Sequence, residues 1–216
     1  MNSNLAGKSM KYEWRKKEKR IYLPKAHPEI IDIPEFQFLT VKGAGNPNTD
    51  HFAKHITVLY SMAYAIKMNL KKVQNPPAGY QDYTVYPLEG IWDINEEARK
   101  TFQGKINKDD LVFTLMLRQP DFITADFFAE MKKLVEQKKP HDLLESVKFE
   151  KIRDGKSVQM MHIGPFDDEP ASFARMETFA AEQNLTRKSK VHREIYISDF
   201  RRVAPERLKT VLRFGV

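Results

Sequence analysis

The chain runs through one order of elements twice. Phe36-Gln37-Phe38-Leu39-Thr40-Val41-Lys42 reads as a strand stopped by Gly43-Ala44-Gly45-Asn46-Pro47, and a helix capped by Thr49 or Asp50 follows. Ser157 to Ile163 reads as a strand stopped by Gly164-Pro165, and a helix capped by Asp168 or Glu169 follows, with Pro170 in its first position. Val41-Lys42-Gly43 falls on His162-Ile163-Gly164, and Leu88-Glu89-Gly90-Ile91-Trp92 falls on Arg193-Glu194-Ile195-Tyr196-Ile197. A repeat of this size implies two copies of one supersecondary unit. The expected class is α+β: a duplicated strand-helix-strand-strand module, antiparallel sheets in two pieces or one long curved piece, helices on one side and a groove between the halves. The alignment makes Glu89 and Glu194 equivalent, facing each other across the groove.

The expected organisation is a basic N-terminal arm over 1–28 and a single domain over 29–216, made of pseudo-repeats at about 29–140 and 141–216. Residues 1–9 (MNSNLAGKS) read as a tag remnant or frayed end, with Met10 as a natural start. The rest of the arm carries Trp14, Tyr22 and Pro24 and is expected to dock. Glu29 to Ile33 reads as a short strand with a turn at Pro34-Glu35. Phe52, Ile56, Leu59, Tyr60, Ala63 and Ile66 recur at helical spacing. Strands are expected at 82–93 and 111–118, a short polar helix near 95–103, and a helix at 124–138 capped by Thr124. Val147 to Ile152 reads as a strand, with Asp154-Gly155 as the hairpin turn before the strand that starts at Ser157. Phe173, Met176, Phe179 and Ala180 face a core, and two last strands lie at 191–198 and 208–213.

Within Val191 to Asp199, alternation puts Val191, Ile195 and Ile197 on one face and His192, Glu194 and Tyr196 on the other. A mid-strand carboxylate between two hydrogen-bonding side chains needs a partner, a shifted pKa or a ligand if that face is buried. If it is open to water, it needs nothing.

Composition narrows the functions. With 216 residues, 41% hydrophobic and 30% charged, the chain is ordinary for a globular protein, and no apolar run reaches the about 18 residues of a membrane span. No signal peptide is visible and there are no cysteines, so disulfide, thiol and thiolate-metal chemistry are excluded and a cytoplasmic protein fits. Net charge is +7 with a pI near 9.4, but the excess is spread out and no nucleic-acid motif accompanies it, so a solvated lysine-rich surface is the reading and no direct nucleic-acid binding is expected. His51 and His55 stand at i, i+4 without a third ligand, so no metal is assigned; no phosphate loop or dinucleotide fingerprint occurs, so no cofactor is assigned. Oligomeric state is not legible.

Gly164-Pro165 before a helix, His192-Arg193-Glu194-Ile195-Tyr196-Ile197-Ser198-Asp199, Arg201-Arg202 and Pro205 to Thr210 together resemble the GyrI-like small-molecule-binding family. Pro87-Leu88-Glu89-Gly90-Ile91-Trp92 resembles the matching motif of its stand-alone members. Phe200 stands where the family tail has Pro. The resemblance spans about residues 29–216 and implies a central cleft for lipophilic, cationic or planar compounds. It implies a ligand-contacting role for Glu194 and, less directly, a site role for Glu89. Stand-alone members are linked to hydrolysis of cyclopropane-bearing DNA-alkylating natural products; others are drug sensors, and one inhibits gyrase.

From this follow three functions: a cofactor-independent hydrolase that opens an activated cyclopropane for detoxification, a non-catalytic multidrug-binding module, or a gyrase-interacting protein. The expected partner is a lipophilic aromatic small molecule. Glu194 is the expected base on water, with Glu89 or Tyr196 orienting water or polarising a carbonyl. Trp92, Tyr60, Tyr64, His162 and His192 are the ligand-binding candidates. Each has an ordinary reading as well: Trp92, Tyr60 and Tyr64 as core, His162 as a satisfied structural histidine. Strict alternation sets Trp92 on the face opposite Glu89; a bulge at Gly90 would bring them together.

Overall fold

The computed structural model describes residues 10–101, 104 and 106–216, so the segment 1–9 and part of the 95–103 stretch lie outside the described residues. Six strands, β1 (Glu29–Ala44), β2 (Leu88–Ile94), β3 (Leu111–Gln119), β4 (Lys148–Ile163), β5 (His192–Tyr196) and β6 (Lys209–Gly215), pair antiparallel in the order β1-β3-β2-β5-β6-β4. β4 returns to β1, so the sheet is a closed barrel. The helices are α1 (Trp14–Lys17), α2 (Lys19–Tyr22), α3 (Asp50–Leu70), α4 (Glu96–Lys100), α5 (Ala125–Lys138) and α6 (Glu169–Glu182). The α+β class is as expected. Closure is not: two seams of hydrogen bonds, β2–β5 and β1–β4, join the first half of the chain to the second.

Closure depends on two positions that read as chain reversals. Pro34 lies inside a single 16-residue strand, and Asp154-Gly155 lies inside another, with no turn at either place. The two positions meet, because Ile33 pairs with Gly155 and Glu35 with Arg153. Gly155 has φ +67°, a conformation costly for other residues. Alternation shifts here. Asp154 and Gln159, an odd number of positions apart, both reach Arg213. The pair of strands bends and rolls the sheet, and the Asp-Gly signal serves a kink rather than a hairpin.

The helices pack on the outside of the barrel. α3 buries Val58, Leu59, Met62, Ala63, Ile66 and Leu70 against Leu39, Val41, Leu88, Leu115 and Leu117. Each large side chain buried in this way contributes about 1.5–3 kcal/mol. α5 adds Met131 and Val135; it starts where Thr124 Oγ1 accepts the Phe127 N–H at 3.1 Å. α6 sets Met176 and Ala180 on Val158, Met160, Leu212 and Phe214. The strand expected from residue 82 begins only at Leu88, because the backbone before it bonds the arm: Tyr12 N–H donates to Asp82 O at 2.6 Å and Thr84 N–H to Tyr12 O at 2.8 Å.

A barrel of so few strands has room only for side chains. Here charged side chains sit among apolar ones such as Ile33 and Phe38. Arg193 donates to Glu89 at 2.8 Å and to Asp154 at 2.6 Å; Arg213 donates to Asp154 at 3.2 Å and Gln159 at 2.9 Å. The leftover void is about 10 Å³. The arm covers this network: Tyr22 and Trp14 are buried, and Glu18 pairs with Arg118 while accepting the hydroxyls of Tyr12 and Tyr86, each at 2.9 Å.

Candidate functional site

On the β2–β5 seam, Glu89 pairs with Ile195, Gly90 with Glu194, Ile91 with Arg193 and Trp92 with His192. Directly paired residues in an antiparallel ladder point to the same side. Glu89 therefore shares the inner face with Arg193. Glu194 shares the outer face with Trp92, His192 and Tyr196. The expected pairing of Glu89 with Glu194 does not occur; the residue opposite Glu194 is Gly90. No bulge forms at Gly90, since the register runs without a break.

Glu89 is buried, and its charge is taken up by Arg193. Burial pushes its carboxyl up, against the pull of Arg193 and Arg213. Opposite it, Asp154 is held below the ordinary carboxylate range: the two arginines outweigh its burial. Glu89 and Asp154 thus belong to an arginine-matched cluster on the inner face.

The carboxyl that does meet Glu194 comes from Glu169, the first residue of α6. The two share a hydrogen bond, and burial first, then the Glu194 charge, raise the Glu169 carboxyl well above its ordinary range. Glu169 Oε1 is buried without another partner. Among the described residues no Lys or Arg forms an ion pair with either carboxyl. Two acidic groups with no Lys or Arg beside them do not both ionise cheaply, which favours one proton held on the pair. Glu169, whose carboxyl is the raised one, holds it. In the sequence Glu169 reads as a cap of the helix start, and nothing local tells a capping Glu from one turned inward.

Tyr196 donates its hydroxyl to Glu194 Oε2 at 2.8 Å, and its oxygen accepts the Trp92 Nε1–H at 2.8 Å. Burial and then the Glu194 carboxylate push this phenol well up, so it remains a donor. Gly90 makes the junction possible: a Cβ there would stand 2.7 Å from Trp92 Nε1 and 3.3 Å from the Tyr196 oxygen. His192 Nε2 lies 3.1 Å from Glu194 Oε1.

Trp92 reaches the site by its edge. Its ring stacks on Phe52 at 5.7 Å and packs against Phe113 at 5.4 Å, so its bulk is core. His162 is buried, with Nδ1 2.9 Å from Ser172 Oγ and Nε2 3.0 Å from Pro165 O; both ring nitrogens are engaged within the protein. Tyr60 and Tyr64 stack at 6.3 Å on α3, and Tyr64 is exposed. Tyr60 is close enough to Asp199 and Arg201, just beyond β5, to feel their charges. Two aromatic rings beside the site were not among the sequence candidates. Phe166 packs edge-on to Tyr196 at 5.9 Å, Phe200 packs against Phe166 at 6.3 Å, and both are partly exposed. A wider groove of about 480 Å³ lies elsewhere, between α3 and α5.

Among the described residues no helix is long and apolar enough to cross a membrane. Comparison with the curated proteins returns no match. Among solved structures, a hydrolase from Listeria innocua is 36% identical, with a TM-score of 0.84 over 95% of this chain and 99% of its own. A second hydrolase structure from that organism is 38% identical with the same TM-score and coverage. The GyrI-like small molecule binding domain model matches residues 26–216. With that match over most of its length, the chain belongs to the GyrI-like small-molecule-binding family.

Proposed function

We propose that this protein is a cofactor-independent hydrolase of cyclopropane-bearing, DNA-alkylating lipophilic compounds, acting in the cytoplasm as a detoxifying, drug-resistance enzyme. The two runs β1–α3–β2–β3 and β4–α6–β5–β6 are read as the duplicated module, and the ligand cleft as the outer face around Glu194, entered past Phe166 and Phe200. One observation carries the reading: Glu194 and Glu169 form a buried carboxyl pair that, among the described residues, no Lys or Arg neutralises. Such a pair offers a base and an acid at one place.

The substrate class has a cyclopropane conjugated to a dienone carbonyl. Glu194 takes a proton from water as its oxygen bonds to the strained carbon. The cyclopropane C–C bond breaks and its electron pair enters the ring system, which becomes aromatic. The former carbonyl oxygen, now a phenol oxygen, receives the Glu169 proton. The net change is addition of one water, and the pair resets by passing the proton from Glu194 to Glu169 along their shared hydrogen bond. Tyr196 orients Glu194, and Phe166 and Phe200 supply flat apolar contact. Glu89, as a partner of Arg193, has no part in this chemistry. The hydrolase names of the two Listeria innocua structures agree with the reaction type.

The test is a timed incubation with a spirocyclopropyl pyrroloindole compound, read by liquid chromatography and mass spectrometry. A water adduct formed over many turnovers by wild type and lost in Glu194→Gln and Glu169→Gln is the expected result. Product no faster than the protein-free blank overturns the reading. The carboxyl pair beside exposed aromatic rings favours one second reading, a non-catalytic multidrug-binding module. That module would bind lipophilic cations saturably without product, and Glu194→Gln would weaken it.

A further inference from the structure

The hydrogen bonds around Glu194 have a direction. The Trp92 indole N–H can only donate, and it donates to the Tyr196 oxygen. The single Tyr196 hydroxyl proton is thereby aimed at Glu194 Oε2. Glu194 Oε1 faces His192 Nε2 at 3.1 Å, while His192 Nδ1 faces the Lys190 carbonyl at 3.2 Å. Both of these oxygens accept. A ring with protons on both nitrogens satisfies both contacts; of the two neutral tautomers, the one with its proton on Nε2 makes the stronger bond, because the acceptor there is a carboxylate. In either state Nε2–H donates to Glu194. Each oxygen of Glu194 thus receives a donor, whereas Glu169 Oε1 has none.

We propose that His192 is the positioning residue of the carboxyl pair: its Nε2–H, together with the Tyr196 hydroxyl, makes Glu194 the base and leaves the shared proton on Glu169. Its effect on turnover rests on the hydrolase reading; its effect on where the proton sits does not. The His192 ring is packed edge-on to Phe173 at 4.7 Å and sits opposite Trp92 in the register. The charged groups around the pair are Glu194 on the same strand as His192, Glu169 at the start of α6, and Asp167 just before α6, which acts on Glu169 and pairs with Lys108. Glu177, further along α6, is taken up by Arg187 and Lys190.

Three measurements test this. Carboxyl ¹³C NMR of glutamate-labelled protein follows Glu169 across pH. In wild type it should titrate well above the ordinary range, and in His192→Phe it should move down towards that range as Glu194 competes for the proton. His192→Gln, whose side-chain N–H reaches the same oxygen, should hold it up. Glu169 titrating alike in wild type and His192→Phe overturns the proposal. Histidine ¹⁵N shifts in wild type need no variant to fold: Nε2 bearing a proton is expected, and a bare Nε2 overturns it. In the turnover assay, His192→Phe should lower kcat by up to about 100-fold with KM within about twofold, and His192→Gln should recover most of it. An unchanged kcat in His192→Phe overturns the positioning role. If wild type shows no turnover, the hydrolase reading falls and the NMR measurements still decide this one.

Discussion

Glu89 and Glu194 lie one ladder position apart on the same pair of strands, and their surroundings are opposite. Inside the barrel, Glu89 and Asp154 are matched by Arg193 and Arg213, and the cluster leaves little space. Outside, Glu194 meets another carboxyl, a phenol and an imidazole. A carboxylate matched by an arginine is satisfied and inert. A carboxylate matched by a carboxyl holds a movable proton. Burial, which the two glutamates share, does not tell them apart; the charge of the nearest partner does.

Substitutions on the two sides break this contrast in different measurements. The largest expected effect is Glu194→Gln, with turnover lower by about 10³-fold, the middle of the range for loss of a general base, while the protein remains folded. Glu89→Ala should do the reverse: it removes one of the two carboxylates that Arg193 pairs with and costs about 3 kcal/mol of stability by urea denaturation. Loss of turnover in folded Glu89→Gln would undo the distinction. Gly90→Ala tests the seam itself. Its methyl would crowd Trp92 and Tyr196 and cost about 2 kcal/mol, with weaker turnover as the Tyr196 contact shifts.

The smallest effect is in the pH dependence of stability, and it has opposite signs on the two faces. The Glu169 carboxyl is raised in the folded state, so its contribution is full at acid pH and is lost as pH rises through its folded value. Asp154 is lowered, so its contribution is full above the ordinary Asp range and is lost as pH falls through its folded value. Urea midpoints across pH should show Glu169→Gln gaining on wild type towards alkaline pH. Asp154→Asn should lose least relative to wild type at the acid end.

Local pattern carried much of this fold. Alternation put His192, Glu194 and Tyr196 on one face and Trp92 opposite Glu89, and both statements match the register. Helical spacing located α3, α5 and α6. What failed depended on contacts distant in sequence. Aligning Glu89 with Glu194 by motif was one position out from the ladder, and one position reverses the face of a strand residue. Asp154-Gly155 carries a turn signal, but its aspartate is needed by two arginines from β5 and β6. Glu169 looked like a cap because acidic residues suit helix starts. Only the arrival of β5 beside α6 makes it half of a pair.

The sequence contains two tryptophans, and each indole N–H is committed to a different region. Trp14 donates to Val85 O at 3.0 Å where the arm covers the barrel end, and Trp92 donates to the phenol that holds Glu194. The molecule therefore has its own optical reporters. Emission from Trp92, isolated in Trp14→Phe, follows events at the carboxyl pair; emission from Trp14, isolated in Trp92→Phe, follows the seating of the arm. Ligand arrival and barrel opening become separable signals without an added dye.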